Sequence, residues 1–263
     1  MKNKLRKILI IILGIVFVCS TSFIVYKTYT SWKNVQEVNK IKEVVNNVVE
    51  DSNVTRTERD YVNDGINVVK KINEEYNTDK FSAYLVVGNN MITEPVVHAT
   101  QPDEYLRTDI HGNYNIAGTI KMYHLNKTYE DDVISLYGHS MLDNTRFGYL
   151  VSHEDNMQDD NMETAKLYTN KGLYEYKLVD MRVVDNEKYF FPEKLFTIEG
   201  LKQVQSVPTI KLIKNGEIKD GHKYLTLLTC HGPVTERSIV TYELIKINGK
   251  DVNQWELLEN LLL

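Results

Sequence analysis

Apolar positions along the chain fall into three regimes. From Ile8 to Tyr26 they run almost continuously, with no charged residue. At 1.5 Å per residue a helix of that length covers about 28 Å, close to the roughly 30 Å of a bilayer's hydrocarbon core. Lys2, Lys4, Arg6 and Lys7 precede the run. This excess of positive charge predicts a cytoplasmic N-terminus, with the bulk of the chain outside the cell membrane. Ser20-Thr21-Ser22 keeps a cleaved secretory signal open as a rival, although the first alanine is Ala83 and small residues are scarce near the run. Cys19 follows the bulky Val16-Phe17-Val18 and reads as a lipid-facing or packing residue, not a lipidation site.

The second regime runs from Ser31 to about Thr78. Val35, Val38, Ile41, Val44, Val45, Val48 and Val49 recur at three- and four-residue steps, and Val62, Ile66, Val69 and Ile72 repeat the pattern beyond Asp51-Ser52-Asn53. Two amphipathic helices with a polar break are predicted, and their apolar stripes favour packing over a bare stalk.

Beyond Phe81 the pattern becomes short apolar segments separated by turn residues. The segments are Phe81 to Val87, Pro95 to His98, Asn115 to Tyr123, Val133 to Tyr137, Leu167 to Tyr168, Tyr174 to Val184, Thr209 to Leu212, Tyr224 to Thr229 and Ile239 to Ile247. Such spacing predicts a mainly β domain, a closed barrel or sandwich. Pro192 to Val207 reads as a helix, with Leu195, Phe196, Ile198, Leu201 and Val204 as its apolar positions. Asp251 to Leu263 reads as a last amphipathic helix after the Asn248-Gly249 turn, with Trp255, Leu258 and Leu261 packing. The predicted organisation is a basic tail (1–7), a membrane anchor (8–26), a helical stalk or packing segment (27–78) and a β-domain (79–263).

Charge and cysteine count narrow the function. The formal net charge is −5 and the basic residues form no single patch in the folded region, which argues against nucleic acid as a partner. Of the two cysteines one lies in the membrane segment, so no conventional disulfide is available to the β-domain. A lone thiol exported to an oxidising space is either buried or used. Glu154, Asp155, Asp159, Asp160 and Glu163 lack the glycine and ligand spacing of a calcium loop and read as a solvated acidic helix start. No cysteine and histidine spacing suits zinc and no glycine loop suits phosphate, so neither metal nor cofactor is expected.

The chemistry concentrates at two strand ends. Lys223 to Thr229 is a strand pattern that runs into Cys230, and after His231-Gly232-Pro233 the next strand pattern opens on Arg237. Val133 to Tyr137 similarly runs through Gly138 into His139. A thiol, an imidazole and a guanidinium at strand ends are the parts of a thiol acyl transferase. His231, beside Cys230, is the rival base, but neighbours on an extended strand point to opposite faces, so His139 is preferred.

Tyr137-Gly138-His139, Thr226-Leu227-Leu228-Thr229-Cys230 and Arg237, in this order and separation, resemble the sortases, cysteine transpeptidases that attach proteins to the wall of Gram-positive bacteria. Glu94-Pro95-Val96-Val97, Asp103-Glu104-Tyr105-Leu106, Ala117-Gly118-Thr119-Ile120 and Phe147-Gly148-Tyr149-Leu150 are similar to class B members, although Ser140 stands where these commonly carry asparagine and the Cys230 to Arg237 interval is short. The resemblance implies an eight-stranded barrel with N-terminal helices and a helix before the cysteine strand that helps wall the substrate groove. It implies catalysis by His139, Cys230 and Arg237, with Thr229 lining the substrate groove. It implies as partners the sorting-signal peptide of a secreted surface protein and a cell-wall precursor amine. A pilin-polymerising sortase and a non-catalytic wall-binding β-domain are the alternatives.

Overall fold

The computed structural model describes residues 2–49, 56–154, 162–186, 194–232 and 235–252. It divides into two compact units, Met1–Lys40 and Ile41–Leu263. Helix α1 (Lys2–Asn46) is unbroken, so the apolar run and the first amphipathic stripe belong to one helix, not two. Neither proline nor glycine lies between Tyr26 and Val35 to interrupt it. Its apolar stretch has a mean hydropathy of 2.9 over 18 residues and exposes its side chains, so it is long and apolar enough to cross a membrane.

In the second unit, α2 (Glu58–Tyr76) starts where the Asp60 carboxylate accepts the Thr57 N–H at 2.7 Å, and it ends at Asn77, whose φ of 49° is left-handed. Its buried stripe is Gly65, Val68, Val69 and Ile72, whereas Ile66 is exposed. The expected stripe through Val62 and Ile66 is therefore rotated, because a glycine supplies the contact. A Cβ on Gly65 would stand 2.5 Å from the carbonyl oxygens of both Thr169 and Gly172, so only glycine lets the helix lie against that turn.

The sheet comprises β1 (Phe81–Val87), β2 (Ile92–His98), β3 (Ile120–Met122), β4 (Val133–Tyr137), β5 (Thr164–Thr169), β6 (Gly172–Asp185), β7 (Thr209–Asn215), β8 (Tyr224–Cys230), β9 (Glu236–Ile247) and β10 (Lys250–Asp251). Its order is β10-β9-β8-β4-β3-β2-β1-β5-β6-β7, and a long antiparallel pairing of β6 with β9 closes it. The closed circuit is β9-β8-β4-β3-β2-β1-β5-β6, the eight-stranded barrel that was expected, with β7 and β10 added outside it. Two pairings are parallel, β2 with β3 and β4 with β8.

Alternation explains which residues fill the barrel. Ala83, Leu85 and Val87, Ile134 and Leu136, Leu225 and Leu227, and Val240, Tyr242 and Leu244 all point into one core. The opposite faces are covered too. Phe81, Tyr84, Val86 and Val97 pack against Ile41, Val45, Val68 and Ile72 of the helices. On the other side Val133, Leu228 and Ile239 pack against Leu201 and Val204 of a helix at Ile198–Ser206 (α4 below). Strands buried on both faces lose their polar alternation, which is why β4 and β8 are mostly apolar, with only the small hydroxyls of Ser135, Thr226 and Thr229 between.

Several boundaries differ from expectation. Of the segment Asn115 to Tyr123 only Ile120–Met122 is a strand. The preceding chain is a loop stitched to itself, with the Asn115 N–H donating to the Arg107 carbonyl at 3.0 Å and the Asp109 carboxylate accepting from the His111 and Asn113 N–H groups. A short helix, α3 (Gly148–Ser152), went unanticipated. Helix α4 (Ile198–Ser206) is capped by Thr197, whose hydroxyl accepts the Gly200 N–H at 3.0 Å, so Leu195 and Phe196 precede it instead of lying on it, and Pro192 lies outside the described residues. Asp251 belongs to β10, not a helix, and 253–263 lie outside the described residues. Glu163 leads into β5 and pairs with Lys214, and Glu154 pairs with Lys211, so these two are bridged to β7 and do not form a solvated helix start. Asp155, Asp159 and Asp160 lie outside the described residues.

Candidate active site

Parallel pairing of β4 with β8 sets Tyr137 opposite Leu228, and the Gly138 N–H continues the ladder to the Leu228 carbonyl at 3.2 Å. Two residues further along each strand stand His139 and Cys230, emerging from the same end of the barrel. On the other side of β8, antiparallel β9 pairs Arg237 directly with Cys230. The short interval between these two is thus compatible with direct register of Arg237 with Cys230. Gly138 permits the approach, since a Cβ there would stand 2.1 Å from Ile120 Cδ1 and 3.1 Å from Phe147 Cδ2.

His139, Cys230, Arg237 and Thr229 line one cavity of about 410 Å³. Cys230 is a free, half-buried thiol, and the Arg237 Nη1 donates to the Glu236 carbonyl at 2.8 Å. Thr229 is 2% exposed and its hydroxyl oxygen meets no hydrogen-bond partner. The opposite wall comes from the β2–β3 loop and β3, including Pro102, Tyr105, Leu106, Thr119 and Lys121, and beyond it from Tyr123, His124 and Leu125. No α4 residue lines the cavity, so the helix before the cysteine strand does not wall this groove. It backs β8 from outside, through Leu201 and Val204.

The imidazole is oriented by main chain. His139 Nε2 lies 2.8 Å from the Leu106 carbonyl oxygen. A carbonyl can only accept, so Nε2 carries the hydrogen and Nδ1 of the neutral ring carries the lone pair. Burial lowers the His139 pKa below 6.5, the Leu106 hydrogen bond opposes this, and the cations Arg107, Lys121 and Arg146 lower it further. His231 stands elsewhere. Its Nδ1 lies 2.9 Å from the Ser238 hydroxyl and 3.4 Å from the Glu154 carboxylate, and it does not line the cavity.

The turn after His139 is clamped by a buried ion pair that went unnoticed in the sequence. The Phe147 N–H returns to the His139 carbonyl at 2.9 Å, and Arg146 holds a left-handed φ of 56°. Glu94 on β2 accepts the Arg146 backbone N–H at 2.6 Å and its Nη1 at 2.5 Å, while Arg146 Nε donates to the Gly118 carbonyl at 3.0 Å. The side chains are only 2% and 5% exposed. Glu94→Ala would leave a buried, uncompensated guanidinium and is expected to cost about 3–5 kcal/mol in a denaturant melt. A loss under about 1 kcal/mol would show that water reaches the pair.

No family model matches the chain, and no curated protein matches it in sequence. Its fold does match solved structures, and it is the sortase fold. More particularly, the matches include sortase B structures from several species. That from Bacillus anthracis is 18% identical with a TM-score of 0.61, over 82% of this chain and 97% of the other. The Clostridium perfringens enzyme is 21% identical with a TM-score of 0.53, over 68% and 98%. A Staphylococcus aureus sortase B–substrate complex is 18% identical with a TM-score of 0.56, over 81% and 94%.

Proposed function

We propose that this chain is a sortase-type cysteine transpeptidase, anchored by α1 with its barrel outside the cell. It cleaves a sorting-signal peptide of a secreted protein and joins it to a cell-wall amine. The observation that supports this most is the meeting of Cys230, Arg237 and His139 at the ends of three neighbouring strands on one cavity. The sortase B fold supports it independently.

Each side chain then has a defined task. The Cys230 thiolate attacks a backbone carbonyl carbon of the peptide, and Arg237 stabilises the oxyanion that forms. Collapse breaks the C–N bond, and the departing amine takes from His139 Nδ1 the proton that this atom, the lone-pair site of the tautomer Leu106 selects, received from the Cys230 thiol when the thiolate formed. An incoming amine attacks the thioester, surrenders a proton to His139 and releases the thiolate. Thr229 adjoins the thiol in the cavity wall, and its hydroxyl oxygen is closed to solvent, so it shapes the groove by packing and not by bonding the peptide.

The test uses the full chain in detergent with a panel of sorting-motif peptides. Intact mass is expected to show a peptide fragment on Cys230 when no good amine is present, discharged on adding a glycine oligomer, a diaminopimelate-containing stem peptide or hydroxylamine. Absence of any adduct, together with equal binding of wall fragments before and after alkylation of Cys230, would replace the enzyme with a wall-binding domain.

A further inference from the structure

We propose that Lys121 is a positioning residue for His139, acting by pinning the 102–106 segment whose Leu106 carbonyl holds the imidazole. The inference rests on the reading of His139 as the acid and base of the reaction.

Lys121 sits in the short strand β3, and it is only 4% exposed. An ammonium buried to that degree needs partners to offset its lost hydration. Its partners are main-chain carbonyls, those of Pro102 and of Glu104, the latter at 2.7 Å. Both belong to the segment that presents the Leu106 carbonyl to His139 Nε2. This segment does not hold its shape by backbone preference alone. Tyr105, between the pinned and the presenting carbonyls, has a φ of 61°, which is unfavourable for an aromatic residue. External donors therefore hold it, Lys121 at Pro102 and Glu104 and the Thr119 N–H at the Tyr105 carbonyl.

The pin and its target are also coupled through the sheet. Lys121 pairs with Tyr137 across β3 and β4, two residues before His139, so the two side chains work from adjoining strands against one loop. Without the pin the Leu106 carbonyl is released, the preference for hydrogen on Nε2 goes with it, and part of the population loses its Nδ1 lone pair. Charge bears on the ring as well. Lys121 joins Arg107 and Arg146 in disfavouring the imidazolium, and Asp103 and Glu104 face Lys121 itself.

The test compares wild type, Lys121→Met and His139→Ala as full chains in detergent, by peptide-cleavage kinetics and by nitrogen NMR of labelled histidine, with His139→Ala identifying the resonance. Lys121→Met is expected to lower kcat roughly 10- to 100-fold while KM moves less than about threefold. The His139 signals should shift from the Nε2–H form toward a mixture. Unchanged kcat overturns the proposal, as does a raised KM at unchanged kcat, which would place Lys121 on the substrate. A fall in kcat with the His139 tautomer unchanged overturns it too. Should Lys121→Met fail to fold, Lys121→Gln, which keeps a donor without the charge, is read by the same criteria. Full activity of His139→Ala would instead remove the underlying reading, whatever Lys121 does.

Discussion

Cys230→Ala is expected to reduce peptide turnover by on the order of 10⁴- to 10⁶-fold while leaving the melting temperature nearly unchanged. On the proposed mechanism, activity depends on one sulfur. Cys230 and Cys19 are the only cysteines, and Cys19 belongs to the other unit of the chain. Stability depends on much else. Cys230 is the last residue of β8, half-buried at a cavity edge, and its backbone pairing with Arg237 survives truncation at Cβ. An alanine there costs less than about 1 kcal/mol, the usual scale for a partly exposed site. Kinetics and a thermal melt on the same preparation separate the two effects. Retained turnover would exclude the thiol as nucleophile, and a collapsed melt would make Cys230 a packing residue.

How much of this was legible in the sequence depended on which signals side chains carry. The bounds of Phe81–Val87 and Val133–Tyr137 could be read directly because Gly88 and Gly138 end them. β2 was read short because Glu94 looks like a surface residue yet is buried against Arg146. The segment from Asn115 was read as strand because Ile116 and Ala117 are apolar, but they are pressed into a loop over the cavity rim, not into a ladder. Cys230, His139, Arg237 and Thr229 stood out because each adjoins a strand end with a glycine or a turn nearby. The orienting roles of the groups around them did not, even where a motif included those groups. Leu106, Pro102 and Glu104 act through main-chain carbonyls, which no residue type announces, and Lys121 becomes visible only when its burial is known.

That distinction separates two histidines which the sequence places in similar contexts. His139→Ala is expected to lower kcat roughly 10²- to 10⁴-fold, the usual scale for losing a general acid and base, whereas His231→Ala should stay within a few-fold of wild type. His231 follows the thiol directly, yet its ring turns to Ser238 and Glu154 outside the cavity. His139 faces the cavity with Nδ1 free for proton transfer. Titration supplies a second readout. The His139 pKa is lowered in the folded chain below 6.5, chiefly by burial, so the unfolded chain binds more protons in the interval between the two values. Its contribution to stability is therefore complete above 6.5 and is lost as the pH falls from there through the folded pKa. Wild type should lose stability relative to His139→Gln across that acid window, and His231→Ala should leave the loss in place. A reversed kinetic ranking would move the proton transfer to His231, and a His139 midpoint above 6.5 would mean that water or a nearby carboxylate, not burial, governs the ring.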